Sequence, residues 1–255
     1  MLKPKVSKQA ECPFSIEASN KLRSNHIDVP PILRRFSAFR AKVERRKSEA
    51  TAELLRPCPA MSRNVKTASD FNTGDTICYG SYPQTRITDT VLITRLTEQA
   101  SYNSFGDVKY NGERYRRVKI DGKTQYYLWE PIKWRVLSCG TDGLFVFADN
   151  ILDTNKMNGY SWEKSELRQW MNSEFYENAF SATEKDSIRL SKLVNIGINN
   201  GPSCNDTYDH IFCLSIQEAT ASGYGFATAG YPDKARQASV TDYASYRSSV
   251  FLSSN

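Results

Sequence analysis

The feature that most constrains the fold is a series of strand-like segments joined by tight turns. Asp121-Gly122 separates two such segments and is a strong signal for a two-residue hairpin. Residues 140–143 (Gly-Thr-Asp-Gly) predict a second hairpin. Strands joined in this way pair with their neighbours, so the pattern predicts an antiparallel sheet. The strand-like segments are residues 75–82, 114–120, 125–129, 132–137 and 144–148.

Helical patterns follow the strands. Residues 165–172 and 175–179 carry apolar side chains at helical spacing. Ser181 and Glu184 form a capping-box pattern, which predicts a third helix that continues through Leu190. Residues 211–216 predict a short buried strand, and Ser215 can cap a further helical turn. An antiparallel sheet with hairpins plus two or three short helices predicts an α+β fold.

Charge divides the chain into two parts. Residues 1–66 hold 15 Lys/Arg and 6 Asp/Glu, whereas residues 67–255 hold 19 and 22. Within the first part, residues 32–55 are bracketed by prolines and predict one basic amphipathic helix. We therefore expect residues 1–66 to form a basic, partly disordered extension and residues 67–255 to form an α+β domain.

The same numbers argue against two classes of partner. The larger part carries no excess of basic residues, so we expect no convincing nucleic-acid site there. No stretch of the chain approaches the roughly 20 apolar residues of a membrane span. The first 13 residues have a basic start but no apolar core behind it, so the sequence as written predicts no secretory signal.

The cysteine spacing gives no disulfide framework or metal motif. No Cys-x-x-Cys pair is present, which argues against a zinc ribbon or a thioredoxin-like site. Cys204 and Cys213 are close enough in sequence to bridge in an oxidising compartment, but buried free thiols are the favoured interpretation. The six cysteines are Cys12, Cys58, Cys78, Cys139, Cys204 and Cys213.

The residues for catalysis or metal binding are scarce. The chain has two histidines, His26 in the extension and His210 beside Asp209, and neither lies in a nucleophile motif. Asn205, Asp206 and Asp209 could offer oxygen ligands to calcium, but a full loop pattern is missing and an ordinary turn is favoured. The sequence therefore predicts no catalytic residue, no metal ligand and no cofactor.

The aromatic residues offer weak candidates for ligand contact. Trp134 and Trp170 lie in apolar periodic stretches and are predicted core residues. Tyr160 and Trp162 lie in a Gly/Asn-rich turn, where exposed rings could stack on sugars. Arg168 is expected to be a buried ion-pair partner. The candidate binding residues are thus Tyr160, Trp162, Asn205, Asp206 and Asp209.

Seven motifs lie in order along the sequence from residue 74 to residue 244. They are GDTICYGSYPQT at 74–85, PIKWRVL at 131–137, ILD at 151–153, SWEKSELRQWMN at 161–172, FYENAFS at 175–181, DHIFCLS at 209–215 and TDYA at 241–244. This series resembles a bacterial family of unknown molecular activity, domain-of-unknown-function family 6273, which is common in surface proteins.

The resemblance implies a C-type-lectin-like fold, similar to surface modules related to the formylglycine-generating enzyme. It implies a non-catalytic module that binds a glycan or a protein at a bacterial cell surface. Two alternatives stay open, an enzyme of the formylglycine-generating neighbourhood and a truncated product without activity. Fold analogy alone cannot decide between them. Relatives are often secreted or attached to the cell surface.

The chain departs from the family pattern after Ala244. The family normally continues to a Trp-Leu-Arg-Ser-Pro segment and a closing Gly-Val-Arg-Pro-Ala segment, whereas this chain reads SYRSSVFLSSN. We therefore expect a truncated or frame-shifted copy. The missing strands would leave unpaired strand edges and an exposed core.

Overall fold

The computed structural model describes residues 7–9, 68–99, 101–120, 122–141, 143–158, 161–195, 204–227 and 233–253. The predicted basic helix at 32–55 lies outside these residues, as does nearly all of the extension 1–66. The strands are β1 (Ser7–Gln9), β2 (Thr76–Arg86), β3 (Asp107–Tyr110), β4 (Glu113–Ile120), β5 (Lys123–Gly140), β6 (Gly143–Ala148), β7 (Asn150–Ile151), β8 (Ser191–Asn195), β9 (Thr207–Asp209) and β10 (Ser239–Val240).

The helices are short apart from the last. They are α1 (Thr90–Thr97), α2 (Glu166–Trp170), α3 (Tyr176–Ala179), α4 (Ala182–Lys185), α5 (Ile216–Ala219) and α6 (Asp242–Ser253). A π-helical turn, Met171–Phe175, joins α2 to α3. This mixture of an antiparallel sheet and short helices confirms the α+β class.

The central sheet is antiparallel and is built on β5. Strand β2 pairs with one side of β5, and on the other side β4 pairs with its first part and β6 with its last part. Strand β3 pairs with the far side of β4. Both predicted hairpins are confirmed. The strands predicted at 125–129 and 132–137 form a single strand. Pro131, which lies between the two predicted segments, is part of β5 and is opposite Ser81, next to a register shift in the pairing with β2.

Helix α1 covers one face of the sheet. Its Leu96 is fully buried against Val108, Tyr115 and Tyr126, which come from β3, β4 and β5. The helix begins at a good N-cap, because the Asp89 side chain accepts hydrogen bonds from the backbone N–H groups of Val91 and Leu92. The sequence patterns predicted neither this helix nor β3.

The opposite face packs against the rest of the chain. Tyr82, Trp129 and Trp134 of the sheet share a buried cluster with Phe175 and Phe180 of the helical region. Tyr243 of α6 closes the cluster, with its ring centroid 5.8 Å from that of Tyr82 and 5.3 Å from that of Tyr127. The core is therefore assembled from residues on both sides of the β5–β6 turn.

A chain of buried polar groups runs through this second core. Asp107 accepts hydrogen bonds from Arg116 Nε and, at 3.2 Å, from Trp129 Nε1. Arg116 Nη1 donates to Tyr243 Oη at 3.4 Å. Asp153 accepts from Tyr82 Oη at 2.7 Å. The Nε atom of Arg247, which is also in α6, lies 2.9 Å from an Asp153 carboxylate oxygen. We call this set the sheet–α6 network.

Helices α3, α4 and α6 lie against β2. The capping box predicted at Ser181 and Glu184 is present at the start of α4, and Glu184 Oε1 also accepts the Gly80 N–H at 2.9 Å. Gly80 has φ +70°, and a Cβ there would lie 2.6 Å from the Phe180 ring. Because no other residue fits such a contact without displacing the ring, glycine is required here.

Two expectations about the later elements are wrong. Helix α4 ends at Lys185 rather than continuing to Leu190. The strand predicted at 211–216 is irregular, and the strand lies earlier, at Thr207–Asp209. The reason is a contact from a residue distant in sequence, since the Asn172 side chain accepts the backbone N–H of His210 at 2.7 Å and donates to the carbonyl of Ile211 at 2.8 Å. The Ser215 cap is confirmed at the start of α5.

Candidate functional site

The candidate site lies on the antiparallel pair β8–β9. The register places Leu193 opposite Thr207 and Lys192 opposite Tyr208. Because side chains alternate along a strand, one face of this pair carries Leu193, Thr207 and Asp209 and the other carries Lys192 and Tyr208. The first face is buried and the second is exposed. We call the exposed face the β8–β9 corner. Strand β1 pairs parallel to β8 on its other side.

The buried face is organised around Asp209, which is 1% exposed. Asp209 Oδ2 accepts from Trp162 Nε1 and from Thr207 Oγ1, both at 2.9 Å, and Oδ1 accepts from Arg168 Nε at 2.7 Å. Arg168 lies in α2, whose N-cap Ser165 accepts the Arg168 N–H. Both carboxylate oxygens are therefore bound, and the network fixes β9 to α2. We call this set the Asp209 network.

The exposed face carries a tyrosine beside an ion pair. Tyr208 is 57% exposed. Lys192 Nζ lies 2.8 Å from Asp206 Oδ2. The hydrogen bond from Lys192 to Asp206 raises the pKa of the lysine, with smaller contributions from the charge of Asp206 and from Tyr208. The ring of Tyr208 therefore lies next to a charged donor and a charged acceptor.

A second polar pair borders the corner. Asn205 donates to Glu163 through its backbone N–H at 3.2 Å and through Nδ2 at 2.8 Å. These hydrogen bonds, the side-chain one first, lower the pKa of Glu163. The Asn205 carbonyl in turn accepts from Asn195 Nδ2 at 2.8 Å. The loop that carries Asn205 is thus held from both the exposed and the buried side.

The structure brings together four of the five candidate residues and separates their roles. Asn205 and Asp206 border the exposed corner. Asp209 is buried beneath it, and Trp162 is only 3% exposed, which corrects the expectation that its ring is free to stack on a ligand. The indole is buried because its N–H bonds Asp209. Tyr160 lies outside the described residues.

Sequence reasoning missed Tyr208. The available signal was the sequence Thr207-Tyr208-Asp209, in which an aromatic residue lies between two polar ones. In a strand, successive side chains point to opposite faces, so the Tyr208 ring lies on the face opposite to Thr207 and Asp209. The expected strand at 211–216 obscured it. The expectation that Arg168 is an ion-pair partner is confirmed, since it pairs with Asp209, but its side chain is 23% exposed rather than buried.

Polar residues around the corner are held by contacts within the protein. The His210 ring stacks on Tyr176, with centroids 4.6 Å apart, and its Nδ1 lies 3.2 Å from the Ile188 carbonyl oxygen. Asp206 and Asp209, two of the calcium candidates, each pair with a basic side chain. Among the described residues, no group of three or more His, Cys, Asp or Glu is arranged to hold a metal ion. Cys204 is a free thiol, so the bridge to Cys213 is not formed.

These features define an α+β domain with a polar, aromatic surface corner on a buried charge network. Residues 141–253 match the model of a family described as "Domain of unknown function (DUF6273)", which supports the assignment of this part of the chain to that family. No curated protein and no solved structure matches the chain. No helix within the described residues has the length and apolar character needed to cross a membrane.

The match begins inside the β5–β6 hairpin, after β5 ends at Gly140. The strands that complete the sheet, β2 to β5, all precede the matched segment. Because Tyr82, Trp129 and Trp134 share one core with residues of the matched segment, the folding unit is larger than the match.

Proposed function

We propose that this chain is a non-catalytic, lectin-like module that binds a glycan at a bacterial cell surface, with the β8–β9 corner as its binding surface. The observation that carries the proposal is the exposed ring of Tyr208 above the fully bonded Asp209 network. A large aromatic side chain that stays in water at a rigid position is suited to stack on the apolar face of a sugar ring.

The polar groups at the border of the corner suit the hydroxyl groups of a sugar. Lys192 offers donors, and the Asp206 carboxylate and the Asn205 amide oxygen offer acceptors. Lys192 and Asp206 pair with each other, and the Glu163 carboxylate is bound by the neutral Asn205 amide, so these groups offer no unpaired cation to an acidic sugar. We therefore expect a neutral sugar, bound by stacking and hydrogen bonds rather than by net charge.

Rigidity supports the proposal as well. Glu163 binds Asn205, and Lys192 binds Asp206. The Asp209 network fixes β9, the strand that follows these two residues. A ligand that binds a preformed surface avoids the entropy cost of ordering it. A sugar contacts only a small area of protein, so avoiding this entropy cost matters more for a sugar than for a large protein interface.

The test is a glycan microarray probed with the full chain, followed by titration calorimetry on the best neutral oligosaccharide. We expect Tyr208→Ala to weaken binding at least about tenfold, because the platform is lost, and Tyr208→Phe to retain most of it. Phe105→Ala is the matched control, since Phe105 is a similarly exposed aromatic residue, 48% exposed, in the loop before β3.

Two results would contradict the proposal. The first is the absence of binding to any arrayed glycan. The second is glycan binding that Tyr208→Ala leaves intact. Capture of a protein ligand that depends on Tyr208 would instead assign the corner to protein recognition, in which a single aromatic residue can dominate the binding energy.

A further inference from the structure

Part of the central sheet has an open edge. Strand β3 pairs with β4 only over Glu113–Arg116, and one further bond joins the Arg117 N–H to the Gly106 carbonyl at 2.9 Å. The chain before Gly106 turns away, through a hydrogen bond from the Gly106 N–H to the Asn103 carbonyl. Within the described residues, no strand other than β5 pairs with Val118–Ile120, so the outer side of this segment of β4 is available.

The direction of the backbone groups follows from the pairing. The N–H and C=O groups of successive residues in a strand point to alternate sides. Since the Arg117 N–H points away from β5, toward Gly106, the N–H and C=O of Lys119 also point away from β5. Lys119 therefore presents a donor and an acceptor to any strand that lies beside it.

Basic side chains flank this edge on both faces of the sheet. Arg117 and Lys119 lie on the α1 face, together with Tyr115. Lys123, opposite Ile120, lies on the other face, as does Lys109, which is further along the sheet in β3, opposite Arg114. Within the part of the chain that the structure describes, none of these four cations forms a salt bridge. Arg117 is held in place by Tyr102, with its Cζ atom 3.6 Å from the ring centroid.

We propose that this edge of β4 binds an extended acidic peptide segment of a partner protein by strand addition. An added strand bonds the outward N–H and C=O of Lys119, and its side chains point alternately to the two faces. Acidic side chains on both faces then meet Arg117 and Lys119 on one and Lys123 on the other. Opposite charges on neighbouring strands stabilise the pairing, and like charges oppose it.

The distribution of charge selects this partner over two others. A polysaccharide would lie across one face, whereas the cations are divided between two. A second copy of this edge would bring Lys119 against another basic edge, and lysines at strand edges are a known obstacle to such self-pairing. The proposal concerns a surface distinct from the β8–β9 corner and does not depend on glycan binding there.

The test uses the full chain and a fluorescein-labelled heptapeptide, Thr-Glu-Glu-Thr-Glu-Glu-Thr, in a fluorescence polarisation titration. A version with glutamine in place of glutamate removes the charge. A version with alternate N-methylated residues keeps the charge but blocks strand pairing. We expect the parent peptide to bind and both altered peptides to bind at least about fivefold more weakly.

Variants of the protein separate backbone pairing from charge. Lys119→Pro removes the outward N–H without removing a bond to β5 and is expected to weaken binding about fivefold. Lys119→Glu keeps the N–H, reverses the charge and is expected to weaken binding about tenfold. Lys164→Glu, an exposed charge reversal elsewhere, is the control and should leave binding unchanged. Near-UV circular dichroism checks that each variant keeps the core.

Three results would overturn the proposal. One is no binding of the parent peptide. Another is equal binding of the N-methylated peptide, which would show attraction of charge without strand pairing. The third is binding of a heparin octasaccharide that Lys119→Glu weakens while the peptide does not compete, which would assign the edge to an anionic glycan.

Discussion

Two buried arginine–aspartate networks in this molecule have similar chemistry but join residues over different separations in the sequence. The sheet–α6 network joins groups far apart in the chain, for example Arg116 and Tyr243. The Asp209 network joins groups within the segment 162–209. In each, an aspartate receives an indole N–H and an arginine. Both oxygens of each aspartate are bound, and Oδ2 of Asp107 accepts from Nη2 of Arg114 and of Arg116.

Because the two networks join residues over different sequence separations, they have different structural roles. The sheet–α6 network joins the sheet before residue 141 to the last helix, so it holds the whole domain together. The Asp209 network fixes β9 to α2 and supports one exposed corner. Similar side chains therefore stabilise global folding in one place and local geometry in the other. The predictions below test this division, from the largest effect to the smallest.

The largest effect is expected from separating the matched segment from the sheet. Residues 141–253 alone lack Tyr82, Trp129 and Trp134, which form much of the second core. We expect this fragment to melt without a cooperative transition, whereas residues 68–253 melt cooperatively. Thermal unfolding followed by near-UV circular dichroism is the measurement. A sharp transition of the short fragment would show that the matched segment folds without the preceding strands.

The next largest effect is expected for Asp107→Ala. This change removes the carboxylate that pairs with Arg116, which is only 7% exposed, and leaves a buried guanidinium without a counter-charge. We expect a loss of about 3–5 kcal/mol in the free energy of unfolding, measured by urea denaturation. The control Asp206→Ala breaks an exposed pair and should cost less than about 1 kcal/mol. Equal losses of the free energy of unfolding for the two variants would show that the buried pair stabilises the fold no more than the exposed pair does.

A smaller, more local effect is expected for Asp209→Asn. The variant loses the charge opposite Arg168, whose side chain is 23% exposed and can still reach water. We expect a cost of about 2–3 kcal/mol. Hydrogen exchange should speed up in β8 and β9 but not in α6, whereas Asp107→Ala should speed it up in α6. Faster exchange in α6 for both variants would contradict the division of roles.

The smallest effect is a change of pH dependence within the sheet–α6 network. Burial raises the pKa of Asp153 and outweighs the opposing effects of Arg247 and Tyr82. Burial acts in the same direction on Asp107, but Arg116 and Arg114 outweigh it and lower the pKa of that carboxyl. As the pH rises, Asp107 therefore contributes to an increase in the free energy of unfolding, and Asp153 contributes to a decrease.

A raised pKa in the folded state means that the folded protein binds the Asp153 proton more tightly than the unfolded chain does. The stability that this proton provides is present at low pH and is lost as the pH rises through the folded pKa. Urea denaturation at several pH values should show that the free energy of unfolding of the wild type, minus that of Asp153→Asn, falls as the pH rises above 3.8. A rise of this signed difference over the same range would contradict the raised pKa.

The sequence predicted those parts of the fold that depend on local patterns. The hairpin at residues 121–122, the Ser181 cap and the Ser215 cap follow from turn and capping chemistry, which needs only neighbouring residues. Helix α1 and strand β3 were missed. The apolar run of residues 211–216 predicts a strand, because it does not reveal that the Asn172 side chain binds the backbone there.

The candidate site was predicted in position but not in detail. The polar loop with Asn205 and Asp206 was identified, and these residues do border the corner. The exposed ring is Tyr208 rather than Trp162, because the buried carboxylate of Asp209 binds the indole N–H. Which side of a short strand is buried depends on residues distant in sequence, here Arg168 of α2, and no local pattern shows them.

The contrast between the two sides of the central sheet has a consequence for assembly. On β2, the N–H groups of Gly80 and Arg86 donate to the side chains of Glu184 and Asp242, so this side is occupied by the protein's own helices. Among the described residues, the β4 side carries the open segment Val118–Ile120. Fibre growth by repeated addition of copies of this chain through the sheet would need an open edge on both the β2 side and the β4 side. The carboxylates along β2 therefore restrict sheet-mediated association to a closed, finite complex.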